Sequence, residues 1–188
     1  MRSRYSALDS NYFPGNYPFD NKIKISFKEY NNINIKQISC WPDALEKAES
    51  FLKKELKLSY IPQFNQGIIE KEFSLWRIEP LKWWAIDKEI NFSEELGTTL
   101  EISHSFTCIS ISGECATLLL NRHLPIDLRS VSFSECSSAS SAIHHVSIKL
   151  LKYSDNNYYL FIPRGFGLSI WEILLETAKQ FGYEILER

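Results

Sequence analysis

The sequence predicts an α+β fold in which antiparallel sheets carry helices packed on one side. Three observations predict it. Short runs rich in alternating or β-branched residues recur in pairs joined by tight turns, as in 72–86 and 139–163. Two segments, 41–56 and 171–181, carry an apolar stripe at helical spacing. The elements run β–β–α–β–β and then β–α–β–β–α, an order that suits two α+β units sharing or stacking antiparallel sheets.

Composition bounds the possibilities. The 188 residues are 44% hydrophobic and 14% aromatic, enough to build a core. A formal net charge of −2 provides no basic field for nucleic acid or an anionic membrane. No apolar run approaches the roughly 20 residues that span a bilayer. The N-terminus lacks the apolar core of a secretory signal. Cys40, Cys108, Cys115 and Cys136 show no CxxC spacing, so free thiols and a cytoplasmic location are expected.

Residues 1–21 follow neither periodicity yet hold Tyr5, Leu8, Tyr12, Phe13, Tyr17 and Phe19. They read as an extended N-terminal arm, either floppy or ordered against a neighbouring chain. Residues 22–188 then form a single compact α+β domain, divisible into lobes 22–80 and 81–188. Within it, Ile23, Ile25 and Phe27 alternate as on a half-buried strand, and 31–38 repeats the pattern. Trp41-Pro42 opens a helix whose stripe is Trp41, Leu45, Ala48, Leu52 and Leu56. Residues 60–67 are a connector, 72–79 and 81–86 are paired strands, and 91–96 is one helical turn stopped by Gly97.

Residues 99–112 hold one long strand or two short ones, and 114–123 a short helix. A loop follows over 124–132, then a Ser-rich run over 132–141. A strand spans most of 139–153, Asp155-Asn156-Asn157 makes a hairpin turn, and 158–163 returns. Gly165 and Gly167 permit a tight junction into the last helix, whose stripe is Trp171, Leu174, Leu175, Ala178 and Phe181.

Few residues point to chemistry. His144 and His145 are adjacent, so on a strand they face opposite ways and cannot chelate one ion. His104 and His123 lack HxxxH spacing and read as structural histidines. No GxSxG or GxGxxG occurs, and the Ser-rich run has no glycine to free backbone N–H groups for a phosphate. The expectation is no catalytic, cofactor-binding or metal residue in this chain. Six residues stand out for loop pinning or partner docking instead. Arg122 could pair with Asp127 to pin the loop, or bind a carboxylate or a partner chain; Arg129 and Arg164 pose the same choice. Trp83 and Trp84 are consecutive on a strand, so one must face away from whatever the other buries.

Taken in order, EISHSFTCISISGECATLLLNRHLPIDLRSVSF, the hydrophobic hairpin and YLFIPRGFGLSIWEILLETAKQFG form a recognisable set. Together with LWRIEPLKWWAID and RYSAL, they resemble the gamma subunit of heterotetrameric sarcosine oxidase. That family is related to the folate-binding domain of the glycine cleavage T protein. The likeness covers about residues 73–182 and implies a small non-catalytic subunit of a complex that oxidatively demethylates sarcosine to glycine. It implies alpha, beta and delta partner subunits that hold FAD, FMN, NAD and tetrahydrofolate. Glu114-Cys115 departs from the family's pattern, and the Ser-rich run lacks the glycine usual near Glu135. These departures leave open an equivalent subunit for another N-methyl amino acid, such as N-methylglutamate. A stand-alone folate-binding one-carbon protein also stays open, with Asp127 as its carboxylate.

Overall fold

The computed structural model describes residues 5–188, so the first four residues of the expected arm lie outside the described residues. In chain order the first strands are β1 Gly15–Tyr17, β2 Ile25–Glu29, β3 Ile35–Cys40, β4 Gln66–Ile69, β5 Ser74–Glu79 and β6 Lys82–Ile86. They continue as β7 Gly97–Glu101, β8 Phe106–Ser112, β9 Ser138–Ile143, β10 Val146–Ser154, β11 Asn157–Pro163 and β12 Tyr183–Ile185. Helices α1 Leu45–Glu55, α2 Ala116–Asn121 and α3 Gly167–Ala178 complete the set. The strands form a seven-stranded sheet, β1-β12-β2-β8-β11-β10-β9, and a five-stranded sheet, β4-β5-β6-β3-β7. Every pairing is antiparallel except β12 with β2, which is parallel. No helix is long and apolar enough to cross a membrane among the described residues.

Two compact units result. One joins the residues up to Asn32 with His104–Arg188, and the other is Ile33–Ser103. The lobe boundary expected at 80/81 falls inside the tight β5–β6 hairpin, where Glu79 pairs with Lys82. A hairpin's two strands share one ladder, so no domain boundary passes between them. The second unit is instead an insertion: the chain leaves the seven-stranded sheet after β2 and returns as β8, directly beside it.

The seven-stranded sheet buries one face beneath α2 and α3. Phe27, Ile109, Ile111, Leu150, Tyr158 and Leu160 come from the strands, and Leu119, Leu120, Trp171 and Leu174 from the helices. Each fully buried side chain of this size contributes about 1.5–3 kcal/mol. The described part of the N-terminal arm packs into this core, against its own chain. Leu8 is fully buried, Tyr12 stacks on Trp171 with ring centroids 5.6 Å apart, and Trp171 Nε1 donates to the Asn11 carbonyl at 3.0 Å. The arm's short strand β1 pairs with β12, and Tyr17 stacks on Tyr183 at 4.8 Å.

In the five-stranded sheet, α1 covers Ile38, Leu75, Trp83 and Ala85 with Ala48, Leu52 and Leu56. A 3-10 turn, Pro42–Ala44, starts this helix three residues later than its stripe predicts. The expected connector 60–67 ends in strand β4, where Gly67 lies across from Trp76; a Cβ there would come within 2.2 Å of the indole. The expected helical turn at 91–96 is a plain turn closed by Leu96 N–H to the Ser93 carbonyl. The run 99–112 is two strands, β7 and β8, placed in different sheets by the 3-10 turn Ser103–Ser105. The strand expected over 139–153 is likewise a hairpin, because His144 adopts φ +52° and turns the chain back.

Gly182 closes α3 at φ +70°, and a Cβ there would lie 1.9 Å from the Lys22 carbonyl oxygen. The close approach is to backbone, which cannot swing aside. Gly182→Ala is therefore expected to destabilise the fold by at least about 2 kcal/mol, read from the urea midpoint. Gly165→Ala, with nothing within 4 Å of the added Cβ, is expected to leave that midpoint in place.

Candidate functional site

The segment singled out by its charged residues, 122–137, is organised by a residue outside it. Lys152 lies on β10 in phase with Ile148 and Leu150, on the sheet face that the helices cover. It is 0% exposed. A lysine there needs acceptors for every N–H it cannot give to water. Its Nζ finds the Phe133 carbonyl at 2.8 Å, Ser130 Oγ at 3.1 Å and Asp155 Oδ1 at 3.0 Å. The Tyr158 ring lies 5.9 Å away on the same side. The backbone of Lys152 also holds the loop, accepting from Cys136 N–H at 2.9 Å and donating to the Ser137 carbonyl at 2.8 Å.

The rest of the loop is fastened around this point. Ser130 Oγ donates to Asp155 Oδ1 at 2.6 Å, and Glu135 accepts from the Asp155 N–H at 3.1 Å. Asn121 accepts from the Leu128 N–H at 3.0 Å, and Tyr158 donates to the Leu128 carbonyl at 3.3 Å. The Ser130 hydroxyl and the Lys152 ammonium together hold the Asp155 carboxyl below its ordinary range. A serine beside a lysine can mark a nucleophile and its base. Here Ser130 Oγ gives its proton to Asp155 Oδ1 and accepts from Lys152 Nζ, so the hydroxyl proton is not directed at the lysine.

Asp127 is paired with Arg129 rather than with Arg122. Arg129 Nε and Nη2 reach the two carboxylate oxygens at 2.9 and 2.7 Å, and Ser132 adds a bond at 2.9 Å. The Arg129 hydrogen bonds hold the Asp127 carboxyl well below the usual carboxylate range. The expected Arg122–Asp127 pin does not form, because the Arg122 guanidinium lies over the Phe181 ring, 4.8 Å from its centroid. Arg164 donates to the Tyr5 carbonyl and so fastens the N-terminal arm. Of the four charged residues singled out, only Asp127 and Arg129 meet.

Trp83 and Trp84 point to opposite faces of the five-stranded sheet, and both are buried. Trp83 joins the core under α1, with the Arg77 guanidinium 5.0 Å from its ring centroid. Trp84 stands across from Trp76 and donates to Gln37 Oε1 at 3.3 Å. Neither offers free surface to a partner.

Three other groupings of polar or aromatic side chains lie outside this loop. His144 and His145 form the β9–β10 turn, while His123 bonds Thr177 at 2.9 Å and is held below its usual pKa by burial, with His144 and Arg122 adding to the effect. Among the described residues no group of three His, Cys, Asp or Glu is placed to hold a metal ion. On the sheet face away from α2 and α3, Tyr159 lies between Tyr153 and Tyr30, with centroids 4.2 and 5.2 Å away. Its hydroxyl donates to that of Tyr30 at 3.2 Å, and burial drives its phenol far above the usual value.

Sequence reasoning missed Lys152. The signal was present: alternation puts it at an apolar position of the hairpin, where a lysine violates the pattern.

No family model matches the sequence, and no curated protein matches it. Solved structures match its fold. A chain of heterotetrameric sarcosine oxidase from Corynebacterium sp. U-96, in complex with pyrrole 2-carboxylate, superposes with a TM-score of 0.69 at 14% identity. The match covers 84% of this chain and 85% of that one. Glycine cleavage system aminomethyltransferase T from Bartonella henselae superposes with a TM-score of 0.66 at 10% identity. There the match covers 95% of this chain but only 57% of the transferase chain. The α+β fold is thus that of the sarcosine oxidase chain and of the larger part of the T protein.

The loop geometry has measurable consequences. Lys152→Met removes the donors from Ser130, Phe133 and Asp155 and is expected to destabilise the fold by about 1–3 kcal/mol in urea. Asp127→Ala removes an exposed pair and should leave the midpoint unchanged. Asp155 has a depressed folded-state pKa, so its contribution is present above the unfolded aspartate pKa and disappears as pH falls through the lower folded value. The amide signals of Ser130 and Phe133 should therefore hold through the ordinary carboxylate range and shift only below it.

Proposed function

We propose that this chain is a non-catalytic, gamma-type subunit of a heteromeric oxidase that demethylates sarcosine to glycine. The observation that carries the reading is the near-equal coverage of the sarcosine oxidase match. At 84% of this chain and 85% of the other, the fold likeness spans most of two chains of about the same length. It is therefore a likeness to a whole small subunit rather than to one domain of a large one. The ordered motifs of 73–182 support the same reading.

The local chemistry fits a supporting role. The polar groups of 127–137 are spent on one another and on Lys152, which gives a loop of fixed shape. In this reading the alpha, beta and delta partners carry FAD, FMN, NAD and tetrahydrofolate, and the location is cytoplasmic. An equivalent role with another N-methyl amino acid, such as N-methylglutamate, uses the same architecture.

A stand-alone folate-binding role requires a carboxylate facing the pterin in a protected site. Asp127, the candidate the motif provides, is exposed, and its oxygens are taken by Arg129 and Ser132. These residues do not fit the group.

Purification of the chain from its native host under mild conditions is expected to bring down a larger flavin-containing assembly. Its sarcosine turnover is expected in the assembly and not in the isolated chain with an added electron acceptor. Turnover by the chain alone, or a native preparation with no flavoprotein, would remove the proposal. Tight tetrahydrofolate binding abolished by Asp127→Ala would favour the folate-binding reading.

A further inference from the structure

Tyr153 and Tyr159 lie on neighbouring strands of the seven-stranded sheet, β10 and β11. The ladder between those strands breaks at Tyr153. Lys152 stands opposite Tyr158, and the next pair is Ser154 with Asn157, so Tyr153 is the extra residue of a bulge. A bulge bends its strand and re-aims the side chain it carries. Here that side chain is a phenol, and it meets a second phenol on the sheet face away from α2 and α3.

The two ring centroids are 4.2 Å apart and the ring planes are tilted by 38°. Aromatic side chains commonly pack with centroids about 4.5–7 Å apart, so this is a close approach. The tilt brings one edge of each ring nearer to the other ring than the centroids are. The edge is where an oxidised phenol reacts, because a phenol that loses an electron and its hydroxyl proton carries the unpaired spin on the oxygen and on the ring carbons beside it. Tyr159 is held in this position from its other side. Its hydroxyl donates to that of Tyr30 at 3.2 Å, and the Tyr30 ring lies 5.2 Å away. Tyr153 and Tyr159 are both half-buried, so an oxidant in solvent reaches them.

We propose that Tyr153 and Tyr159 form an oxidative modification site, at which a one-electron oxidant, such as a radical generated from hydrogen peroxide, couples the two rings into a dityrosine. Each phenol gives one electron to the oxidant and its hydroxyl proton to water. The two radicals then join through the ring carbons next to the oxygens. The hydrogen on each joined carbon moves to its oxygen and restores both phenols, so two electrons and two protons leave in all. Holding the rings together makes the coupling a step within one molecule, which outruns coupling between molecules. The new bond ties β10 to β11 across the turn that carries Asp155, one of the acceptors of Lys152. The inference does not depend on which amino acid, if any, the chain helps to oxidise.

The test is oxidation of the whole folded chain, at micromolar dilution, by photo-excited tris(bipyridine)ruthenium with persulfate, which removes single electrons from phenols. Trypsin, cutting after Lys152 and Arg164, then releases peptide 153–164 with Tyr153, Tyr158 and Tyr159 in it. This peptide is expected to show dityrosine fluorescence and a mass lower by two hydrogen atoms. It should yield no fragment from a single backbone break between Tyr153 and Tyr159, because the new bond holds the pieces together. Tyr153→Phe and Tyr159→Phe keep the rings and remove the phenols, and each should abolish the product. A peptide that loses no hydrogen would overturn the proposal, as would a product that persists in either Phe variant. So would a fragment released by a break between Tyr158 and Tyr159, which would place the bond on Tyr158, the fully buried tyrosine of the opposite face.

Discussion

The seven-stranded sheet depends on the pairing of β2 with β8. Between them the chain makes an excursion from Ile33 to Ser103 and folds a complete unit of its own. Closing a loop of that length costs roughly 4 kcal/mol of chain entropy if the loop is flexible, and the cost grows only logarithmically with length. Phe27, Ile109 and Ile111 are fully buried at the junction, each contributing about 1.5–3 kcal/mol, so the closure is affordable. The insertion lowers it further by being folded, because the five-stranded sheet brings its own ends into order. Ile35 N–H bonds Ser103 Oγ at 2.7 Å, and Ile102 N–H bonds the Ile35 carbonyl at 3.0 Å, so the inserted unit returns the chain beside its exit.

A second constraint ties the two ends of the described chain to this junction. Glu29, the last residue of β2, is 3% exposed, and an isolated carboxylate would not be buried there. Arg188 pairs with it at 2.8 Å, Ser6 Oγ donates at 2.5 Å, and the Arg188 guanidinium lies 4.5 Å from the Tyr12 ring centroid. Tyr12 accepts the Glu29 N–H at 3.0 Å and donates to the Leu186 carbonyl at 2.7 Å. Arg188, Ser6 and Tyr12 thus bring both ends of the described chain to the buried Glu29, which accounts for the order of an arm that has no regular periodicity.

Parts of this were legible in the sequence because local pattern and tertiary packing agree. The α3 stripe of Trp171, Leu174 and Ala178 is buried as its spacing requires, and Asp155-Asn156-Asn157 turns the β10–β11 hairpin with Asn156 at φ +54°. Other parts were illegible because a distant residue decides them. Arg122 and Arg129 both lie within a few residues of Asp127; Phe181, nearly sixty residues on, draws Arg122 away. Strands β1 and β12 have three residues each and no period to detect; β12 forms between β1 and β2, and β1 exists by pairing with β12. The domain division is invisible locally, since both sides of the insertion are hairpin-rich. Two tryptophans in succession signalled packing on both faces, and packing is what they do: their exposure to a partner does not follow from their position.

Lys152 shows how the polar groups of one loop can serve shape. A buried ammonium is unfavourable unless its donors are met, and three separate parts of 130–155 meet them. The requirement works in both directions. Ser130, Phe133 and Asp155 are held in place by the lysine, and the lysine tolerates burial only while they stay. A substrate carboxylate entering this site would have to displace Asp155 or Ser130 and leave one of them unpaired in its place. Such a loop resists ligand exchange and keeps a fixed outline.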